Sequence, residues 1–113
     1  MVKDLEKARK FLADLFDTEF SDPTERKEAD ARTSMSPIGI ELGTPLSAEG
    51  ASARTLDRRG EGLAMLALEV ENLEEAITYM ESHGIRLIGR PTAKAAQFHP
   101  KDIYGVMIEL IER

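Results

Sequence analysis

Two glutamates in matching contexts are the residues of this chain best suited to chemistry. Glu41 lies in the triplet Ile40-Glu41-Leu42, and Glu109 lies in the triplet Ile108-Glu109-Leu110, 68 residues further on. In an extended strand, the glutamate of such a triplet points to the face opposite its apolar neighbours. Two carboxylates at one site can act as acid and base in proton transfer, or they can bind a divalent cation. A purely structural role, as solvated or hydrogen-bonded strand positions, is equally open for both.

The chain also repeats where a helix is expected to start. The segment Val2-Lys3-Asp4-Leu5 returns as Val70-Glu71-Asn72-Leu73, again 68 residues later. Two matches at one offset predict a tandem pair of similar units, each opening with a helix and closing on a strand that carries a glutamate. The apolar run 63–68 before the second helix has no counterpart, because its equivalent would precede residue 1. We therefore predict that the first unit lacks its opening strand.

The missing strand has a consequence for assembly. A sheet edge with unpaired backbone donors and acceptors recruits another chain, so the sequence predicts a homodimer. The alternative is that the missing strand, together with a metal-binding histidine, lies upstream of residue 1.

Capping residues and apolar periodicity locate the other elements. Asp4 can cap a first helix, and Asn72 with Glu75 forms a capping box for a second helix that Gly84 ends. Strands are predicted at 29–35, 38–42, 63–68, 86–88, 95–98 and 106–111, with a short helix near 53–59. The predicted organisation is a single α+β domain, 1–113, with module 1 at about 1–43, a linker at 44–62 and module 2 at about 63–113.

Composition excludes several classes of function. The 113 residues are 42% hydrophobic and 32% charged, as in an ordinary globular protein. A net charge of −6 opposes binding to nucleic acid or to anionic membranes. No apolar run approaches the about 20 residues that span a bilayer, and the cytoplasm is the expected location. The chain has no cysteine, which leaves oxygen and imidazole as the ligands for any metal.

Strand alternation predicts which side chains share a face with the glutamates. Helices are expected to cover the faces that carry Ile38, Ile40 and Leu42, then Leu66, Leu68 and Val70, then Val106, Ile108 and Leu110. The opposite faces would form a ligand-binding trough lined by Met65, Ala67, Met107 and Ile111. Lys101, in the loop before the last strand, is a candidate for an anionic ligand group. His83 and His99 have simpler structural roles as a helix-end partner and a turn residue, and Arg54, Arg58 and Arg59 fit a solvated helix face.

The most specific motif is Phe98-His99-Pro100-Lys101-Asp102-Ile103-Tyr104-Gly105-Val106-Met107-Ile108-Glu109-Leu110. It is similar to the closing motif of the methylmalonyl-CoA epimerase group within the vicinal oxygen chelate superfamily, the glyoxalase and bleomycin-resistance fold. Ile40-Glu41-Leu42-Gly43-Thr44-Pro45 and Arg59-Gly60-Glu61-Gly62-Leu63 also resemble that group. The resemblance implies tandem βαβββ modules that form a curved mixed sheet with a concave trough.

The same resemblance implies a metal site with four protein ligands. Glu41 and Glu109 match the two closing-strand ligand positions, whereas Met65 falls where a histidine is usual. The opening-strand ligand of the first module has no counterpart. A thioether is a soft, weak ligand for the cations that these enzymes use. The expected cofactor is therefore none, or one weakly held divalent metal ion bound by Glu41 and Glu109.

Two classes of function follow from these residues. The first is a small-molecule binding protein with a degraded metal site and an apolar trough. The alternative is a divalent-metal-dependent isomerase or lyase, similar to methylmalonyl-CoA epimerase or lactoylglutathione lyase, in which Glu41 and Glu109 act as acid and base in α-proton transfer. The sequence leaves open whether the protein is an enzyme, and which ligand it takes.

Overall fold

The computed structural model describes residues 1–113, and the chain forms two compact units, Met1–Gly62 and Leu63–Arg113. Both units mix helix and strand, as the α+β prediction requires. No helix of the chain has the length and apolar character needed to cross a membrane.

Unit 1 (Met1–Gly62) contains a three-stranded antiparallel sheet and two helices. The strand order is β1-β2-β3. In chain order the elements are α1 (Leu5–Phe16), β1 (Thr24–Arg26), a 3₁₀ turn (Lys27–Ala29), β2 (Ala31–Met35), β3 (Glu41–Pro45) and α2 (Ala51–Arg59). Helix α1 begins where predicted, because the Asp4 carboxylate accepts the Lys7 backbone N–H at 3.0 Å. It ends at Asp17, whose left-handed conformation breaks the helical ladder.

The first residues of unit 1 run beside β3. The Val2 N–H donates to the Gly43 carbonyl at 2.8 Å, and the Thr44 hydroxyl donates to the Lys3 carbonyl at 3.3 Å. In unit 2 (Leu63–Arg113) the corresponding segment is β4 (Leu66–Val70), a full strand that pairs with the last strand of the chain. The sheet of unit 1 thus has three strands where that of unit 2 has four, which confirms the predicted lack of an opening strand.

Unit 2 is a complete βαβββ module. Strand β4 is followed by α3 (Leu73–Ser82), β5 (Leu87–Ile88), β6 (Ala95–Phe98), a 3₁₀ turn (Pro100–Asp102) and β7 (Ile108–Glu112). The sheet is mixed, with the strand order β4-β7-β6-β5, because β4 is parallel to β7 while the other neighbours are antiparallel. Helix α3 carries the chain from β4 to β5, a parallel strand at the opposite edge of the sheet, because parallel strands need such a crossover connection.

The core of unit 2 lies between α3 and one face of the sheet. Phe98 is fully buried there, together with Leu73, Ala96 and Leu110. Ile108 packs against the same cluster. Ile108 and Leu110 were predicted to face the helix, and their packing confirms this prediction. Val106 was predicted to do the same, but it lies before the strand and is 37% exposed.

Helix α3 is also tied to the sheet at its first turn. The Asn72 side chain accepts the Glu75 backbone N–H at 2.9 Å, as predicted for its cap. The Glu112 carboxylate at the end of β7 accepts the Leu73 backbone N–H at 2.9 Å, which satisfies a second free donor of the helix start.

Two details of the predicted strands are wrong. Ile38 lies in the turn between β2 and β3, where the Ser36 N–H bonds to the Ile40 carbonyl and Gly39 adopts a positive φ of 94°, so Ile38 is 57% exposed rather than helix-facing. Leu66 and Leu68 share a face with Leu110 through the β4–β7 register but remain 43% and 45% exposed. The reason is that β4 is an edge strand, while α3 packs on β6 and β7.

One strand was not predicted at all. Strand β1 pairs with β2 through Thr24 opposite Thr33 and Arg26 opposite Ala31. Its three residues, Thr24 to Arg26, are polar and exposed. A segment without apolar alternation carries no strand signal, and only its pairing with β2 makes it a strand.

Removing the Phe98 ring tests the core of unit 2. Phe98→Ala should lower the free energy of unfolding by about 3–5 kcal/mol, because a fully buried ring leaves a cavity that its neighbours cannot fill. Tyr104→Ala, at a fully exposed ring, is the matched control and should change stability by less than about 0.5 kcal/mol. Urea unfolding of both variants measures the difference, and equal effects would contradict the described packing.

Candidate functional site

The face of the unit 2 sheet opposite α3 carries the second of the two predicted glutamates. Glu109 is the second residue of β7, with Ala67 of β4 opposite it on one side and Gln97 of β6 opposite it on the other. Because Leu110 and Phe98 point into the helix-covered core, strand alternation directs Glu109, Gln97 and Ala67 to the other side. This side of the unit 2 sheet is called the site face below.

Glu109 and Gln97 are joined by a hydrogen bond. The Gln97 side-chain Nε2 donates to the Glu109 Oε2 at 3.0 Å, and both side chains are partly buried. Sequence reasoning missed Gln97. The signal was present, since Gln97 is a lone polar residue that alternates with the apolar Ala96 and Phe98 in a predicted strand.

The four predicted apolar residues of the trough also belong to the site face. Ile111 lies two residues beyond Glu109 on β7, and Ala67 is exposed on β4. Met65 and Met107 precede these strands, at the end where the Leu66 N–H donates to the Met107 carbonyl at 2.9 Å. Met65 is 36% exposed and Met107 is partly buried. The structure therefore places the Glu109 carboxylate and the Gln97 carboxamide among methyl, methylene and thioether groups, with the Glu69–Arg113 ion pair on the same face.

Lys101 lies in a tightly bonded loop that precedes β7. The Arg86 guanidinium donates to both oxygens of Asp102, at 2.9 and 3.1 Å, and the Arg86 backbone N–H donates to Asp102 at 3.0 Å. These side-chain and backbone hydrogen bonds from Arg86 lower the pKa of the Asp102 carboxyl from 3.8 to about 2. The Lys101 side chain itself is exposed, so the loop presents a cation on a rigid backbone.

The two histidines have local partners. His99 accepts the Lys101 backbone N–H through Nδ1 at 3.2 Å, at the start of the 3₁₀ turn. His83 lies with Nδ1 2.9 Å from the Tyr79 carbonyl in the last turn of α3, which agrees with the predicted role at the helix end.

Glu41 occupies a different environment in unit 1. It is the first residue of β3, exposed, and opposite Met35 of β2. Ala31 and Thr33 lie on the same face of this sheet but are buried. On β2 and β3, the face that carries Glu41 is therefore exposed at Met35 and Glu41 and buried at Ala31 and Thr33.

The residues of the site face do not fit a tightly held divalent cation. Hard cations such as Mg²⁺ or Ca²⁺ need six or more oxygen ligands, and zinc needs about four nitrogen, sulfur or oxygen ligands. The site face offers two carboxylates and a thioether at Met65. The Glu109 carboxylate accepts a hydrogen bond from Gln97, and the Glu69 carboxylate is paired with Arg113. Nowhere in the structure do three or more histidines, aspartates and glutamates come together as possible metal ligands.

Comparison with known proteins decides the family. Residues 1–104 match the family model of the glyoxalase/bleomycin resistance protein/dioxygenase superfamily. The chain belongs to this superfamily. The βαβββ module of unit 2 and the shortened module of unit 1 are its version of the superfamily fold.

Epimerases are among the similar proteins. The mitochondrial methylmalonyl-CoA epimerase of Bos taurus is 28% identical over 119 residues, which cover 96% of this chain and 68% of that protein. The crystal structure of methylmalonyl-CoA epimerase from Mycobacterium tuberculosis has a TM-score of 0.82 and 29% identity, covering 98% of this chain and 81% of that one. A hypothetical protein from Bacillus halodurans C-125 has a TM-score of 0.87 and 26% identity, covering 99% of this chain and 88% of that one.

The Arg86–Asp102 pair should make the free energy of unfolding depend on pH in the acid range. Because the folded pKa of Asp102 is about 2, below its ordinary 3.8, its contribution is present above pH 3.8 and is lost as the pH falls through about 2. Asp102→Asn should be less stable than the unsubstituted protein at pH 7, with a gap that closes towards pH 2. Urea unfolding at several pH values measures this gap.

Asp14→Asn is the control for that experiment. Asp14 is exposed on α1, and its carboxylate makes no hydrogen bond or ion pair. This variant should follow the unsubstituted protein at every pH. A constant gap for Asp102→Asn from pH 7 to pH 2 would show that the pair with Arg86 does not form.

Proposed function

We propose that this protein binds a small molecule of the acyl-CoA thioester class on the site face of unit 2, without a tightly held divalent ion. The observation that carries the proposal is the Glu109–Gln97 pair, a hydrogen-bonded carboxylate beside apolar side chains, where no group of three possible metal ligands comes together. The small-molecule class was expected from the sequence, and the choice of CoA thioesters is supported by the similarity to two methylmalonyl-CoA epimerases.

The chemistry of such a ligand matches the side chains available. An acyl chain and the methylene groups of a pantetheine arm gain about 0.8 kcal/mol for each methylene that Met65, Met107 and Ile111 remove from water. The amide N–H groups of the arm are donors, and Glu109 is an acceptor with one oxygen not used by Gln97. Lys101, exposed in the rigid loop before β7, provides a cation for a phosphate of the nucleotide end.

A second candidate is the metal-dependent epimerase or lyase named above. The 29% identity to the Mycobacterium tuberculosis epimerase across 98% of this chain favours it. In that case Glu109 removes the proton on the carbon next to the thioester carbonyl. A cation, if Glu109 held one, would supply polarisation of that carbonyl. Solvent deuterium incorporation into methylmalonyl-CoA, with Glu41→Gln and Glu109→Gln compared, tests this candidate.

A homodimer remains the predicted assembly. The exposed Leu66 and Leu68 on the edge strand β4 support it, since an apolar edge strand is a surface that pairs with other chains.

Ligand binding without metal is tested by calorimetric titration of EDTA-treated protein with propionyl-CoA. Glu109→Gln should weaken binding about fivefold to tenfold, because a charged acceptor contributes about 1–1.5 kcal/mol more than a neutral one. Glu69→Gln is the matched control, since Glu69 lies on the same face, in β4, but its carboxylate is paired with Arg113 at 3.2 Å. Binding that occurs only after cobalt is added would contradict the proposal and favour the second candidate.

Metal uptake tests the effect of having Met65 at the position where the superfamily resemblance predicts a histidine. After loading with cobalt and dialysis, the unsubstituted protein should retain far less than one ion per chain. Met65→His should increase retention, because it adds a borderline nitrogen ligand on the face that carries Glu109. Leu66→His is the control, since the neighbouring residue points to the opposite face. About one retained ion per unsubstituted chain would refute the absence of a tight site.

A further inference from the structure

The carboxylate of Glu109 depends on one side chain for its position. Gln97 donates a hydrogen bond to it, from Nε2 to Oε2 at 3.0 Å. The two residues are directly opposite each other in the antiparallel register of β6 and β7. The backbone pairing of the two strands therefore brings these side chains together. Gln97 is also the only glutamine of the chain.

The other neighbours of Glu109 cannot take over this role. Ala67 lies opposite it on β4 and offers only a methyl group. Met107 and Ile111, two residues away on either side, contribute no donor. Glu69 is the next acidic side chain on this face, and it is held by Arg113 at 3.2 Å. Without Gln97, the Glu109 carboxylate would be free to rotate about its side-chain bonds.

We infer that Gln97 is a positioning residue for Glu109. It holds Oε2 towards β6 and leaves Oε1 available to a donor or a proton of the ligand. Fixing the carboxylate before binding removes part of the ordering entropy that a ligand would otherwise have to offset. The inference rests on the proposed function for the ligand, whereas the pairing of the two side chains does not.

The same contact leaves Glu109 one free carboxylate oxygen. Gln97 donates its N–H group to Oε2, so its carboxamide oxygen is directed elsewhere. A cation bound through Oε1 alone is compatible with this hydrogen bond. Bidentate ligation by both oxygens of Glu109 would compete with it.

The pairing is tested by NMR of the side-chain amides, without any ligand. The chain has two carboxamides, Asn72 and Gln97, so its ¹⁵N–¹H spectrum contains two side-chain NH₂ pairs. Glu109→Met, which keeps the length and removes the acceptor, should shift the Gln97 pair and increase its mobility. The Asn72 pair, at the cap of α3, should stay in place as an internal reference. Glu69→Met should leave both pairs unchanged.

Two results of this experiment would overturn the inference. One is a Gln97 pair that is unchanged by Glu109→Met. The other is a Gln97 pair that is already as mobile in the unsubstituted protein as a solvent-exposed carboxamide, which would show that the hydrogen bond does not form.

The consequence for binding is tested with propionyl-CoA. Gln97→Met, which keeps the length and removes the donor, should weaken binding about fivefold, by the loss of one oriented acceptor. In a Glu109→Met background, Gln97→Met should cause no further loss, because residues that act through each other are not additive. An equal loss in both backgrounds would refute a role through Glu109. If the unsubstituted protein binds no propionyl-CoA while the amide shift is observed, the proposed ligand is wrong and the pairing stands.

Discussion

The position of β7 in the unit 2 sheet is the constraint on which the candidate site depends. This strand pairs in parallel with β4 and in antiparallel fashion with β6, so its register fixes both neighbours of every residue. Alternation then sends Leu110 into the core beneath α3 and Glu109 to the opposite face. A slip by one residue would bury a carboxylate and expose a leucine, at a cost of several kcal/mol. Core packing and site geometry are therefore specified by the same hydrogen-bond ladder.

Polar contacts around the sheet hold the connecting segments to this ladder. Glu112, at the end of β7, accepts the Leu73 N–H and contacts Lys94 at 3.3 Å, which joins the helix start to the last strand. The Leu73 N–H and then Lys94 lower the pKa of the Glu112 carboxyl below its ordinary value. Asp102 and Arg86 hold the loop that leads into β7. Both carboxylates act at segment ends, where backbone donors would otherwise lack partners.

The two units use one pattern with different results. In each unit, a short segment runs beside the last strand of the sheet and leads into a capped helix. Val2 and Val70 lie at equivalent places in these segments, 68 residues apart. Unit 2 has the full parallel strand β4, whereas unit 1 has only the contacts of Val2 and Lys3 with β3. The matching glutamates differ accordingly. Glu109 is partly buried and bonded to Gln97, while Glu41 is exposed beside Met35.

The sequence by itself determined the tandem repeat, the caps at Asp4 and Asn72, the face that carries Glu109 and the membership of the superfamily. These are local or periodic features, and capping geometry or strand alternation specifies them without knowledge of distant contacts. Only the tertiary structure decided that β1 is a strand, that Leu66 and Leu68 stay exposed on an edge, and that Gln97 meets Glu109. Each of these depends on which strands become neighbours, and residues 12 positions apart, such as Gln97 and Glu109, come together only when the sheet forms.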